Sequence, residues 1–319
     1  MKIIKSVLMA AAIGLLPGLG FAGCGSAFCT VNTSWTNESA MTEAGSSLDL
    51  RYETINQNQS RSGSRTINAA TVTESHQEIA TRNDNLIASY THNFNNAFGI
   101  SVVAPLMNRD HSHIHDPQGE ASFEQWRFTR LGDVRVLGRY RLPEFGDPQR
   151  SANMGMTLGF KLPTGSTSVV NADGELAERS LQPGTGTTDF IVGAYYFRKS
   201  PGTNGSWFAQ TQYQHALNHH DEYQSGDSLS VDLGYRHELN AKTGLLLQTN
   251  FLSKQRDKGT QAEPSDSGGK FVFISPGMSY LLTNTMQLQA HVQLPVYQYV
   301  NGIQLTASKS FVVGLSQRF

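Results

Sequence analysis

Three histidines alternate with single residues at His111, His113 and His115, and Asp110 and Asp116 flank them. His219, His220 and Asp221 form a second such group further along. Imidazole nitrogens and carboxylate oxygens are ligands of divalent transition metals. Geometry limits the idea. Alternate residues of an extended chain stand about 6.6–6.8 Å apart, whereas each nitrogen on a zinc ion lies about 2.0–2.1 Å from it. The His111–His115 segment must therefore bend, or share ligands with His219 and His220, to hold a divalent transition metal. The competing reading is a solvated polar loop. No other cofactor is indicated by the residue pattern.

Cys24 and Cys29 are the only cysteines. In an exported chain they are expected to form a disulfide. Phe21-Ala22-Gly23-Cys24 also resembles a lipidation signal on Cys24. A redox or metal role for the pair is the third reading, although structural zinc takes four ligands. His215, His219, His220 and Ser225 could serve a Ser–His hydrolase at a barrel rim. The chain has no G-x-S-x-G turn to present the serine, so it reads as a non-enzyme.

The elements that must carry these side chains are strands. In Ile303–Phe319 one parity holds Ile303, Leu305, Ala307, Phe311, Val313, Leu315 and Phe319. The other holds Gln304, Thr306, Ser308, Ser310, Ser316 and Arg318. That is a strand with one apolar and one wet face. A final strand ending on Phe319 matches the closing strand of a bacterial outer-membrane barrel, where closure removes both sheet edges. Similar alternation recurs in Ser47–Ile55, Asn85–His92, Phe98–Leu106, Leu131–Leu142, Met154–Leu162, Gly186–Arg198 and Trp207–Leu217. It continues, more weakly in places, through four further strands before Asn301-Gly302, a tight hairpin signal. Long polar loops are expected at 56–83, 108–130 and 163–184, with short turns between.

Met1–Ala22 reads as a secretory signal: Lys2 and Lys5, apolar Val7–Leu19, then Gly20-Phe21-Ala22. Its removal takes two lysines and no acids, moving the formal charge from −1 to −3. No basic footprint for nucleic acid remains. Beyond it no apolar run approaches the roughly 20 residues of a membrane helix. The expected architecture is all-β: a transmembrane antiparallel up-and-down barrel of about twelve strands over 47–319, after a periplasmic segment 23–46. A secreted sandwich or solenoid explains the alternation but not the loop asymmetry or the terminal Phe. The wet parity of the strands places Asp49, Arg51, Glu53, Arg135, Arg139, Asp189, Asp232, Arg236, Gln289 and His291 in the lumen. Such charges either pair structurally or form a selective constriction. Lys309 breaks the apolar parity, and counting back from Phe319 puts it at the outer interface, where it can snorkel. Expected partners are outer-membrane lipid, a small solute, the barrel-assembly machinery at the strand ending in Phe319, and a protein docking on loops 56–83 and 108–130. The function expected is passive passage of small solutes. A structural scaffold with metal-binding or partner-binding outer loops is the alternative.

The middle of the chain carries a series: Gly132-Asp133 opening a strand, Lys161-Leu-Pro163-Thr164-Gly165 ending one, and Gly184-Thr-Gly186-Thr-Thr-Asp189 opening the next. In this order, across Leu131–Tyr196, it resembles the outer-membrane family named for the MetA pathway of phenol degradation. The resemblance implies a barrel and the uptake of hydrophobic or aromatic small molecules. The cysteine pair and the histidine-rich segment are not part of that pattern.

Overall fold

The computed structural model describes residues 44–68, 76–115, 121–142 and 152–319. The expected signal segment, both cysteines and the turn at 143–151 lie outside them. The strands are β1 (Gly45–Gly63), β2 (Arg65–Thr66), β3 (His76–Asn93), β4 (Phe98–His115), β5 (Ser122–Leu131), β6 (Val134–Arg141) and β7 (Ala152–Leu162). They continue as β8 (Asp189–Lys199), β9 (Gly205–Ala216), β10 (Ser228–Glu238), β11 (Thr243–Lys254), β12 (Gly269–Leu281) and β13 (Met286–Arg318).

Along β1 the side chains alternate in an inverted sense. Asp49, Arg51 and Glu53 are 4–6% exposed, while Leu50 and Tyr52 between them are 39% and 45% exposed. The same inversion holds on β7, where Met154, Met156, Leu158, Phe160 and Leu162 face out. A water-soluble protein buries its apolar face. A chain that exposes an apolar band and buries charge has lipid outside and a polar interior.

All ladders are antiparallel, and the ring joins sequence neighbours until β13 pairs with β1 and closes it. Eleven segments form the ring; β2 and β5 lie off that path. β13 doubles back at Asn301–Gly302, where Gly302 takes φ 58°. Its first arm pairs with β12 and its second with β1. Gln298 Nε2 donates to the Ala307 carbonyl at 2.9 Å, and Ser310 Oγ donates to Gln293 Oε1 at 3.0 Å, bridging the arms. β13 thus supplies two staves, which reconciles the eleven segments with the twelve strands expected from sequence. The result is the up-and-down membrane barrel, an integral protein of the outer-membrane type.

Four expectations need correction. The strand expected to stop at Ile55 runs to Gly63, and its partner begins at His76, inside the expected loop 56–83. Likewise β4 and β5 occupy much of the expected loop 108–130, so the His111–His115 segment is strand. Above the bilayer a strand no longer needs an apolar outer face, so the hydropathy signal ends while the ladder continues. The single strand expected at Leu131–Leu142 is split at Gly132-Asp133: β5 pairs with the outer half of β4 and β6 with its inner half. Finally, Leu305 and Ala307 do not share the outward face of Phe311 and Val313; both are buried. Register shifts on β1 at Asn56/Gln57 and Gln57/Gln59 break the parity opposite them. Lys309 does face outward, its Nζ 5.9 Å from the Phe311 ring.

Candidate functional site

The three motifs of the middle of the chain meet on adjacent staves. Lys161, last inward-facing residue of β7, lies opposite Arg135 on β6 and Asp189 on β8. Its Nζ is 3.1 Å from Asp133 Oδ2 and 3.1 Å from Asp189 Oδ2, and all three side chains are buried. Asp133 also accepts from the backbone nitrogens of Gly165 and Thr185, each at 3.0 Å. Asp189 accepts from Thr187 Oγ1 at 2.6 Å and Gln214 Nε2 at 2.6 Å. One lysine and two aspartates therefore fasten both ends of the segment 163–188 to the barrel wall. At its base a Cβ on Gly184 would lie 2.4 Å from the Gly165 carbonyl oxygen, so the two backbones touch in a way only glycine permits.

Between those ends the segment folds inward over the lumen. Val169, Ala177 and Leu181 bury themselves against Trp126 and Phe128 of β5 and Leu305 of β13. Buried Arg109 of β4 donates to the carbonyls of Leu181 at 2.7 Å and Ser180 at 3.2 Å, and its Nε donates to Asn83 Oδ1 at 2.7 Å. The next loops interlock with it. The Arg179 guanidinium stands 5.0 Å above the Tyr223 ring, and Tyr223 donates to Asp257 Oδ2 at 3.1 Å. Lys254 Nζ pairs with Asp257 at 2.9 Å. Burial, followed by the Asp257 carboxylate, pushes the Tyr223 hydroxyl well above its ordinary range. Burial, then Glu178, Asp266 and Asp257, pushes the Glu263 carboxyl up to about 9. A second apolar cluster, Ile55, Leu252, Phe271, Phe273, Val300 and Ala307, packs the interior.

Beneath this lid lies a cavity of about 250 Å³. Arg51, Glu53, Arg135 and Arg139 line it, with apolar Val103, Pro105 and Leu137, and Arg179 and Pro183 of the lid are also on its wall. Arg51 is 3.3 Å from Asp49, and Arg139 stands 5.6 Å from the Tyr195 ring centre. Of the other residues read as luminal, Asp232 accepts from Asn250 Nδ2 at 2.6 Å, while Gln289 and His291 are buried on the face of β13 opposite exposed Leu288 and Leu294. Arg236 is half-buried and pairs with Glu238 at 2.6 Å. Lys161, quoted only as part of a motif, and Arg109 and Arg179 lie outside the set that the sequence places in the lumen. Lys161 carried a readable signal, its inward parity in a repeated motif, whereas the other two lie in stretches read as loop.

The two histidine groups stay apart. His111 and His113 are fully buried on the inward face of β4, beside Glu78 of β3. His115 is half-buried and falls outside that group. His219 is exposed, and His220 packs on Gly186 and pairs with Asp221 at 3.1 Å.

No curated protein sequence matches the chain. Among solved structures, an outer membrane channel from Pseudomonas putida F1 superposes with a TM-score of 0.65 at 12% identity, over 90% of this chain and 100% of that one. The two share a fold. The CymD monoaromatic hydrocarbon channel superposes with a TM-score of 0.46 at 9% identity, over 95% of this chain and 98% of that one. The family profile described as "Putative MetA-pathway of phenol degradation" matches residues 66–299. With the motif series, the clamp that explains it and a profile spanning most of its length, the chain belongs to that family.

Proposed function

We propose that the chain is a passive channel for small single-ring solutes, above all aromatic compounds with an anionic or hydroxyl group. The observation that carries this reading is the cavity of about 250 Å³ inside a lipid-facing barrel. An apolar cavity of about 150 Å³ already holds benzene, so one substituted ring fits this space and an oligosaccharide does not. Val103, Pro105 and Leu137 offer the ring an apolar surface. Seven basic and two acidic side chains line the cavity among the described residues; with Asp49, Asp189 and Asp257, which pair with Arg51, Lys161 and Lys254 from behind the lining, the excess is two positive charges, a bias toward anions. Family membership and the fold shared with the Pseudomonas channel support passage rather than catalysis. The interlocked loops are the gate in this reading.

The test is single-channel recording of the folded chain in planar bilayers, paired with liposome swelling. Discrete steps with anion preference are expected, with benzoate admitted and sucrose excluded. Arg135→Gln with Arg139→Gln should lower the anion preference by severalfold. A barrel that inserts but passes neither ions nor benzoate would overturn the proposal.

A further inference from the structure

We propose that Glu78, His111 and His113 form a binding site for a divalent transition-metal ion of the zinc class. This goes beyond solute passage and rests on a separate part of the molecule, the outer ends of β3, β4 and β5. One donor atom from each of the three residues lies within 4.8 Å of the others, and all three side chains are buried. His111 Nε2 and His113 Nδ1 are 3.2 Å apart. Two nitrogens bound tetrahedrally at 2.0–2.1 Å sit about 3.3 Å from each other, so the rings already hold the spacing of one edge of a metal tetrahedron. Without metal that contact is a hydrogen bond between the rings.

The strand geometry explains how residues two apart converge. Their rings tilt toward each other at 68°, with centres 5.3 Å apart. The third donor comes from the neighbouring strand through a bulge. A register shift between Glu78 and Ala80 turns Ile79 outward, and so Glu78 and Thr81 both face in, at 4% and 2% exposure. Bulges of this kind re-aim side chains beside functional sites.

Each ring is also held from its far side. His113 Nε2 meets Glu124 Oε2 at 2.9 Å, and His111 Nδ1 meets Thr81 Oγ1 at 2.8 Å; Glu78 Oε2 stands 3.7 Å from the same Nδ1, so in the proposed site its carboxylate turns toward Nε2 to ligate. A carboxylate behind a metal-bound imidazole fixes its tautomer and raises its basicity. The two carboxylates, Glu78 and Glu124, flank two imidazoles that are neutral when they ligate. Two histidines and one carboxylate leave a fourth position for water or a solute atom, the pattern of an open rather than a closed zinc site.

Trp126 supplies a reporter, its ring centre 4.8 Å from His113 and 5.9 Å from His111. The full chain, folded in detergent and stripped with chelator, would be titrated with Zn²⁺ by calorimetry, with Co²⁺ by visible absorption, and with Cu²⁺ by tryptophan quenching. One equivalent is expected, with a tetrahedral-type Co²⁺ spectrum and quenching that Trp126→Phe removes. His111→Ala and His113→Ala should abolish binding, Glu124→Gln should weaken it about 10–100-fold, and the His219→Ala, His220→Ala double variant should leave it unchanged. If the histidine variants fail to fold, Glu78→Gln and Glu124→Gln read the same site. No saturable binding, or binding lost with His219 and His220 instead, would overturn the proposal.

Discussion

At the scale of single residues, Lys161 carries the most. It is one buried cation between two buried aspartates, each 28 positions away in sequence. Replacing a buried pair by apolar groups can be neutral, but removing one partner leaves charge stranded and costs about 3–5 kcal/mol. Lys161→Met leaves Asp133 and Asp189 both uncompensated. It should lower the unfolding free energy in vesicles by about that amount, and limited proteolysis should begin to cut within 167–176. A loss below about 1 kcal/mol would show that backbone donors alone hold the clamp. The sequence reveals the inward parity of Lys161 but not its partners, which are set by the alignment of β6, β7 and β8. Glu78 is hidden more deeply. Its inward aim depends on a bulge beside Ile79, and a simple period of two assigns Glu78 and Thr81 to opposite faces.

At the scale of elements, the inward-folded loop is the feature that composition only half announces. Its glycines, prolines and polar residues mark 163–184 as irregular, and Val169, Ala177 and Leu181 are the hint that it packs on something. Nothing local says that the something is the barrel's own interior, because the interior exists only once the ring is closed. The lid has a pH response. Glu263 lies in the loop between β11 and β12, and its carboxyl is raised from 4.5 to about 9, chiefly by burial and then by Glu178, Asp266 and Asp257. Between those values the closed lid holds a proton that the opened loop releases. The contribution of Glu263 to lid stability is therefore fullest below about pH 4.5, declines as pH rises through the window, and levels off above about pH 9. Hydrogen exchange in 255–268, corrected for intrinsic rates, should quicken from pH 6 to pH 9, and Glu263→Gln should remove that response. Exchange that slows over this range would contradict it.

For the whole molecule, the decisive property is which solvent each face meets. Alternation in the membrane-spanning strands was plain in the sequence, because every outward residue must be apolar and every inward one need not be. It failed at Leu305 and Ala307, above a pair of register shifts, where interior packing rather than lipid selects the side chain. Leu158 stands mid-strand on β7 and is 49% exposed. Leu158→Arg should destabilise the folded barrel in lipid vesicles by about 2–4 kcal/mol. The same substitution at exposed Phe123, on the outer arm β5, should cost about 0–1 kcal/mol if that arm stands at or beyond the membrane interface. Equal effects at the two positions would show that the apolar band is not the lipid boundary.

The ladder joining β1 to β13 pairs Ser47 with Arg318, 271 positions apart. Every other joint of the ring links neighbours in sequence and can zip as the chain emerges. This one waits for the last strand, and its two partners can meet only after the intervening strands have paired and curled the sheet into a ring. Ring closure is therefore the late, slow event of folding. Until it occurs the growing sheet has two raw edges, each able to pair with another chain. The lumen, its lid and its cavity all come into being in that final step.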